Sequence, residues 1–383
     1  MAYIKKSKYI YSLISFLLIV FALIFVFWAK TRKVQDEDII SYPIVYYNQV
    51  DTLVSADYIF QNEGLNQPSA VRSIPGTNEF VVLDKGNICL YIFTKYGEFV
   101  RMMGRQGQGP GDLWFPFYMN VDSEGNIYVY EWRNLRISIF SKEGKFIDLF
   151  RIPKELGYGF YSSSYGFSIA DNGEIVLNMP HAGYYFSIYS KDGSLLREFG
   201  EVPIVTTTQR GRMNIHYAEG FPFKHKNGNY YIFLSQMGSV KIFNDKGIFI
   251  KEHLLDIPEV EANLKKITEL IKKERINYIG IYFTEVIMHN DLFYLMVRMH
   301  APKGKKVGNK YIEKLMVYVL DENLEIKKKI IMPDFWYYDN CPDVTVARQF
   351  SLWKRFCLLN DKEEIIIPNF FEAQIIKYSI GKD

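Results

Sequence analysis

A four-strand pattern that recurs along the chain constrains this sequence more than any other feature. Its clearest copy runs from Gly104 to Phe150 (GRQGQGPGDLWFPFYMNVDSEGNIYVYEWRNLRISIFSKEGKFIDLF). A glycine-rich turn leads into an apolar strand at Tyr118 to Val121 and a polar turn at Ser123-Glu124-Gly125-Asn126. A second strand follows at Ile127 to Glu131 and a third at Arg136 to Phe140. A turn at Lys142-Glu143-Gly144 then opens a fourth at Lys145 to Phe150. Four short strands joined this way form an antiparallel meander too small to bury a face alone. Copies of it must stack, and the repeated unit reads as one blade of a β-propeller.

Two turns carry the alignment of the copies. The turn between first and second strands is read at Asp84-Lys85-Gly86, Ser123-Glu124-Gly125, Asp171-Asn172-Gly173, Lys226-Asn227-Gly228, His289-Asn290-Asp291 and Asn360-Asp361-Lys362. The turn between third and fourth strands is read at Lys95-Tyr96-Gly97, Lys142-Glu143-Gly144, Lys191-Asp192-Gly193, Asp245-Lys246-Gly247 and Asp321-Glu322-Asn323. Gly and Asn at these places supply the positive φ that tight hairpins need. The expectation is an all-β, six-bladed propeller over residues 44–383. Its last blade stops after three strands, and the segment Ile44 to Phe60 is expected to donate the missing outer strand and close the ring.

Composition supports a large β-rich core and excludes one function class. Of 383 residues, 48% are hydrophobic and 16% aromatic, which suits pleated, half-buried surfaces. The net charge of +3, from 46 basic and 43 acidic residues, gives no footprint for nucleic acid. Cys89, Cys341 and Cys357 have no metal-ligand spacing; Cys341 and Cys357 are a candidate disulfide in an oxidising compartment. GRQGQGPGD lacks the Lys-Ser/Thr ending of a phosphate loop and opens no helix, so it reads as a compact crossover. No serine, cysteine or acid pair has the context of a nucleophilic or glycosidase site, and no cofactor is expected.

The N-terminus has a different character. The uncharged run from Tyr9 to Ala29 is long enough to cross a hydrocarbon core of roughly 30 Å, with Tyr9, Tyr11 and Trp28 at its ends. A cleaved signal peptide is the rival reading, against which Phe27 and Trp28 make a poor cleavage site. Residues 1–33 are therefore expected to be a membrane anchor (or signal peptide) and 34–43 a linker. The N-terminus is expected inside and the propeller outside the cytoplasm.

The Gly-Asn-Ile-Tyr-Val segment at Gly125 to Val129 and the Arg-Ile-x-x-Phe strand at Arg136 to Phe140 resemble the NHL-repeat type of blade. Gly107-x-Gly109-Pro110-Gly111-Asp112-Leu113, with Pro116 after it, resembles the six-bladed propeller family abundant in exported Bacteroidetes proteins. The resemblance is sharpest over the first two blades. It implies fold and export, with no agreed catalytic residues. Many relatives are lipoproteins, whereas this chain has no cysteine before Cys89 to carry a lipid.

In a propeller the connections from fourth to first and from second to third strand share one face, and almost every long segment here falls among them. Long loops on a rigid scaffold are where binding residues concentrate. They include Tyr158, Phe160, Tyr161 and Tyr165, then Phe335, Trp336, Tyr337 and Tyr338, and an amphipathic helix from Pro258 to Arg275 between the fourth and fifth blades. Residues ending each second strand, Arg133, His181, Gln236, His300 and Asn369, with Trp132 beside them, are the candidate ligand-binding set. His181 and His300 are also weak candidates for a metal, short of the three or four ligands zinc takes. The expected function is a membrane-anchored extracytoplasmic module that presents this face to a peptide, glycan or protein partner. The alternative is a metal-dependent propeller enzyme of the lyase or lactonase type.

Overall fold

The structure, a computed structural model, describes residues 42–55, 57–58, 64–131, 133–152, 166–202, 218–235, 237–261, 283–300, 306–307, 310–333, 335–338, 355–359, 364–369 and 373–380. The Tyr9–Ala29 run lies outside them, and no described helix is long and apolar enough to cross a membrane. The chain divides into two compact units, Met1–Pro43 and Ile44–Asp383.

The second unit is all-β and propeller-like. After β1 (Ile44–Val54) come four separate four-stranded meanders. The first holds β2 (Pro68–Ser73), β3 (Glu79–Asp84), β4 (Cys89–Thr94) and β5 (Phe99–Met103). The second holds β6 (Pro116–Val121), β7 (Ile127–Glu131), β8 (Arg136–Phe140) and β9 (Phe146–Arg151). The third holds β10 (Phe167–Ile169), β11 (Ile175–Met179), β12 (Tyr184–Tyr189) and β13 (Leu195–Glu201). The fourth holds β14 (Gly220–Lys224), β15 (Tyr230–Leu234), β16 (Ser239–Phe243) and β17 (Phe249–Leu254).

The remaining strands form one ten-stranded sheet with two arms. One arm holds β18 (Phe283–His289), β19 (Leu292–His300), the short β20 (Lys306–Val307), β21 (Lys310–Leu320), β22 (Ile326–Ile331) and β23 (Phe335–Tyr338). The other holds β24 (Cys357–Leu358), β25 (Ile365–Asn369) and β26 (Gln374–Ile380), followed by β1. Thus the segment assigned to ring closure does pair antiparallel with β26, from Tyr47↔Ile380 to Val54↔Ile375. It also joins the two arms, because Ile44–Tyr46 run parallel to Lys329–Ile331 of β22.

Burial explains why the middle strands read as continuous apolar runs. β7, β8, β11 and β15 are buried at every position, while the fourth strands β5, β9, β13 and β17 are largely open to solvent. Each middle strand is pressed between two sheets, so both of its faces must be apolar. The apolar clusters accordingly lie between sheets: Met103, Leu113 and Met119 between the first and second, Tyr128 and Leu177 between the second and third, and Phe186 and Tyr230 between the third and fourth. Phe293 of β19 packs edge-on against Phe223 and tilted against Phe233 of the fourth sheet. The two arms share Tyr294, Val317, Ile367 and Tyr378, and Val54 and Ile375 close onto Val71 and Phe80 of the first sheet.

Three sequence expectations are corrected here. The turn from β2 to β3 lies at residues 75–78, and Asp84-Lys85-Gly86 instead joins β3 to β4, on the opposite side of the sheet. DKGN resembles a hairpin triplet because Asp84 gathers N–H bonds, accepting from Asn66, Gln67, Gly86 and Asn87. Second, Phe335–Tyr338 is not loop but β23, paired with Lys310–Glu313 of β21. β-Branched and aromatic residues fit a pleated surface, and FWYY obeys that preference. The fourth strand of the second sheet begins one residue later than expected, at Phe146. Residues 258–261 open the expected helix, whose remainder lies outside the described residues, as does Cys341. Cys357 is a buried free thiol.

Candidate functional site

The first strands of the sheets face one another around a central channel. β2 touches β6, β6 touches β10, β10 touches β14, β14 touches β18, and β2 also meets β24. A cavity of about 180 Å³ lies among them, lined by residues of β2, β6, β10, β14, β18 and β24, including Arg72, Tyr118, Asn120, Ser168, Phe223, His289 and Cys357. Its other lining residues include Ser73, Pro75, Val121, Ile169 and Leu358, so it sits at the end of the channel nearest the tight turns.

Just inside that cavity is a buried charge network. Arg72 Nη2 donates to Glu285 Oε1 at 2.9 Å and to the Tyr118 hydroxyl at 3.0 Å, and that hydroxyl donates to the same Oε1 at 2.9 Å. Arg72 Nη1 reaches the carbonyls of Val71 and Phe356. The Arg355 guanidinium lies over the Tyr118 ring, 3.9 Å from its centroid, with Nη1 3.9 Å from Glu285 Oε2. Side chains of Arg72, Glu285 and Arg355 are 6%, 0% and 2% exposed, deep enough that unbalanced charge is costly. Gly166 makes room for the network: a Cβ there would meet the Tyr118 hydroxyl at 2.5 Å.

The two cations are held differently. Burial opposes the charge on Arg72, but Glu285, Tyr118 and Cys357 together hold its pKa above the usual arginine value. Arg355 goes the other way: burial, helped by repulsion from Arg72, outweighs the pull of Glu285 and Tyr118 and lowers its pKa. Burial also pushes the Cys357 thiol up to about 12, against the pull of Arg72. Lys85, half-buried with its ammonium 4.4 Å from the Phe117 ring centroid, is driven well below the usual lysine pKa by burial and by Arg355.

Several buried polar atoms here have no hydrogen-bond partner: Arg72 Nε, Arg355 Nε and Nη1, Glu285 Oε2 and Ser168 Oγ. The contrast is Arg136, equally buried but fully used. Its Nε donates to Glu131 at 2.7 Å, its Nη1 to the Gln108 carbonyl, and its Nη2 to those of Gly109 and Asp112. Arg136 thereby pins the GRQGQGPGD crossover, which explains a glycine-rich stretch without any phosphate. Native proteins rarely leave buried polar atoms unsatisfied, so two of them on residues that line one cavity, Arg72 Nε and Ser168 Oγ, call for a reason.

Residues 65–155 match a family described as a 6-bladed beta-propeller. The match to this family spans β2 to β9, the two sheets in which the sequence resemblance is sharpest. No curated protein matches the chain. Among solved structures, it is similar to a Bacteroides fragilis protein described as a candidate exported protein, at 14% identity over 88% of this chain and 100% of that one, with a TM-score of 0.49. A member of the DUF4221 family from Bacteroides vulgatus gives 12% identity over 88% and 97%, with a TM-score of 0.48. Virginiamycin B lyase from Staphylococcus aureus gives 11% over 88% and 100%, with a TM-score of 0.48.

Within this propeller the candidates read from the sequence sit at second-strand ends, as their alignment requires. Arg133 follows β7 and is exposed, its guanidinium 5.0 Å from the Phe115 ring centroid. His181 lies in a 3-10 turn, Pro180–Ala182, directly after β11. His300 ends β19 opposite Glu313, and Asn369 ends β25 opposite Gln374. Trp132 and Gln236 lie outside the described residues. Among the described residues, no three His, Cys, Asp or Glu side chains are placed to hold a metal ion.

The corrected turn supplies the position that was missing for the first sheet: Lys85, which follows β3 as Trp132 follows β7. The network residues were missed altogether. Their signal was a charged residue inside an apolar first strand, as in PSAVRS and FTEVIM, or just before one, as in RFCLL.

Proposed function

We propose that this chain is an extracytoplasmic binding module, held to the membrane by the Tyr9–Ala29 helix and presenting one propeller face to a peptide, glycan or protein partner. We count six blades by taking the arms of the ten-stranded sheet as two, with β1 completing the last. The helix that begins at residue 258 then falls between the fourth and fifth blades.

The observation that carries the reading is the asymmetry of the connections. Turns such as 75–78, 122–126 and 290–291 are tight and lie on one side of the sheets. The fourth strands β9, β13 and β17 end on the other, and the stretches 153–165, 203–217 and 262–282 follow them in sequence. Chain of that length leaving a rigid scaffold suits the grip of an extended ligand. Trp132, Arg133, His181, Gln236, His300 and Asn369, now joined by Lys85, would line its centre. A cationic, hydrogen-bonding rim of this kind suits a polar or anionic partner.

Protease treatment of intact and permeabilised cells, with N-terminal sequencing of the membrane-extracted protein, tests the location. Digestion of the propeller without permeabilising the inner membrane, on a chain that keeps its first residues, is the expected result; a mature chain beginning near Lys30 removes the anchor. Peptide and glycan arrays test the binding face, with Arg133→Ala and His181→Ala weakening the signal at an unchanged Tm. Stoichiometric divalent metal in the purified protein would replace the binding reading with that of a metal-dependent enzyme.

A further inference from the structure

The channel cavity lies on the far side of the propeller from the loop face and stands or falls independently of it. Two of its lining residues, Arg72 and Ser168, carry buried donors without partners, Nε and Oγ. Among the described residues the network behind them is unbalanced, with Arg72 and Arg355 against the single carboxylate of Glu285. Water can satisfy donors but cannot neutralise charge. An anion does both.

Size and charge narrow the choice of anion. About 180 Å³ is smaller than the roughly 300–1,000 Å³ of pockets that enclose drug-sized ligands, so a small group is indicated. The uncompensated charge is that of one cation. A monoanion neutralises it, whereas a phosphate dianion would leave an excess negative charge beside Glu285. Glu285 itself shows how these strands receive a carboxylate, with one oxygen shared between an arginine and a tyrosine hydroxyl.

We propose that the channel cavity is a binding site for a small carboxylate, received by Arg72 Nε and Ser168 Oγ and balanced by the charge of Arg355. The carboxylate is either a free organic acid or the carboxyl end of a short chain.

The test is a titration of the full-length protein with ¹³C-labelled acetate at constant ionic strength, read by NMR line broadening and thermal shift, with chloride and inorganic phosphate as controls. Triglycine and its C-terminal amide form a second arm that separates a chain end from a free acid. Saturable binding of acetate or triglycine, with chloride and the amide inert, is expected. Ser168→Ala should weaken that binding at least about fivefold and Arg355→Met at least tenfold, both with unchanged far-UV circular dichroism. Acetate and triglycine behaving like chloride would mean that the cavity holds water alone, and the proposal is then wrong. Tighter binding of phosphate than acetate, or wild-type affinity in both variants, also overturns it. The wild-type titration decides the matter even if a variant fails to fold.

Discussion

Glu285→Gln removes the charge at the heart of the channel network with almost no change of shape. In the native protein Glu285 is fully buried, accepts from Arg72 and the Tyr118 hydroxyl at 2.9 Å each, and lies 3.9 Å from Arg355. Glutamine still offers an oxygen to Tyr118 but leaves two buried cations without a counter-ion. Stranding a buried charge costs about 3–5 kcal/mol, and the neutral hydrogen bonds retained return about 1 kcal/mol. The expected loss is therefore about 3 kcal/mol, or on the order of 4 °C in Tm for a domain of this size. Arg355→Met should behave oppositely. Its environment already disfavours the charge, so the lost stacking on Tyr118, about 2 kcal/mol, is offset by the desolvation it relieves. Its net cost should stay below about 1 kcal/mol. In the Glu285→Gln background the same change should restore about 1–2 kcal/mol, because the two sites share one network. Reversible thermal and urea unfolding, followed by circular dichroism, measures all three. A Glu285→Gln protein within about 1 kcal/mol of wild type, or an Arg355→Met protein as unstable as Glu285→Gln, would refute this account of the channel.

Three further outcomes follow from named contacts. Gly166→Ala drives a methyl into the Tyr118 hydroxyl and ring; overpacking of this kind costs about 2 kcal/mol, to be read as a lowered Tm with loosened Tyr118 side-chain resonances. Lys85 has a pKa lowered from its unfolded value of 10.5, so between its folded and unfolded pKa the unfolded chain binds more protons and stability rises with pH. Lys85→Met should abolish that rise and stabilise the protein at neutral pH, which a difference curve of unfolding free energy against pH will reveal. With its thiol buried and its pKa pushed up to about 12, Cys357 should resist iodoacetamide at pH 8.5 until denaturant is added, as followed by peptide mass spectrometry; rapid labelling of native protein would contradict its placement.

How much of this was legible depended on how local each signal was. The limits of β7 and β8, Ile127–Glu131 and Arg136–Phe140, coincide with those read from the sequence, because Gly125 and Gly144 mark their turns with positive φ. Closure by β1 was legible from a count, since the last meander lacked one strand. DKGN misled because Asp84 uses the same side-chain chemistry as a hairpin turn to organise a different connection, which hid Lys85. FWYY reads as loop in the sequence because its partner, residues 310–313 of β21, lies in a stretch rich in Lys and Gly. The channel network was illegible for a stronger reason. Arg72, Tyr118, Glu285 and Arg355 lie on or beside four strands far apart in sequence, β2, β6, β18 and β24, and only the assembled fold brings them together.

That origin also separates what stabilises this propeller from what equips it. The clusters between sheets are apolar and well filled, with Val129, Leu177 and Ile232 fully buried, and at about 25 cal/mol per Å² of apolar surface they carry the fold. Where a buried charge serves the architecture, as in Arg136 with Glu131, each nitrogen has an acceptor. Arg355 is just as buried, yet two of its nitrogens have no hydrogen-bond partner and its surroundings disfavour its charge. An apolar side chain would fill that place at lower cost, as replacements of buried ionic groups elsewhere show. Stability does not account for a cation kept on those terms; a negatively charged ligand in the neighbouring cavity does.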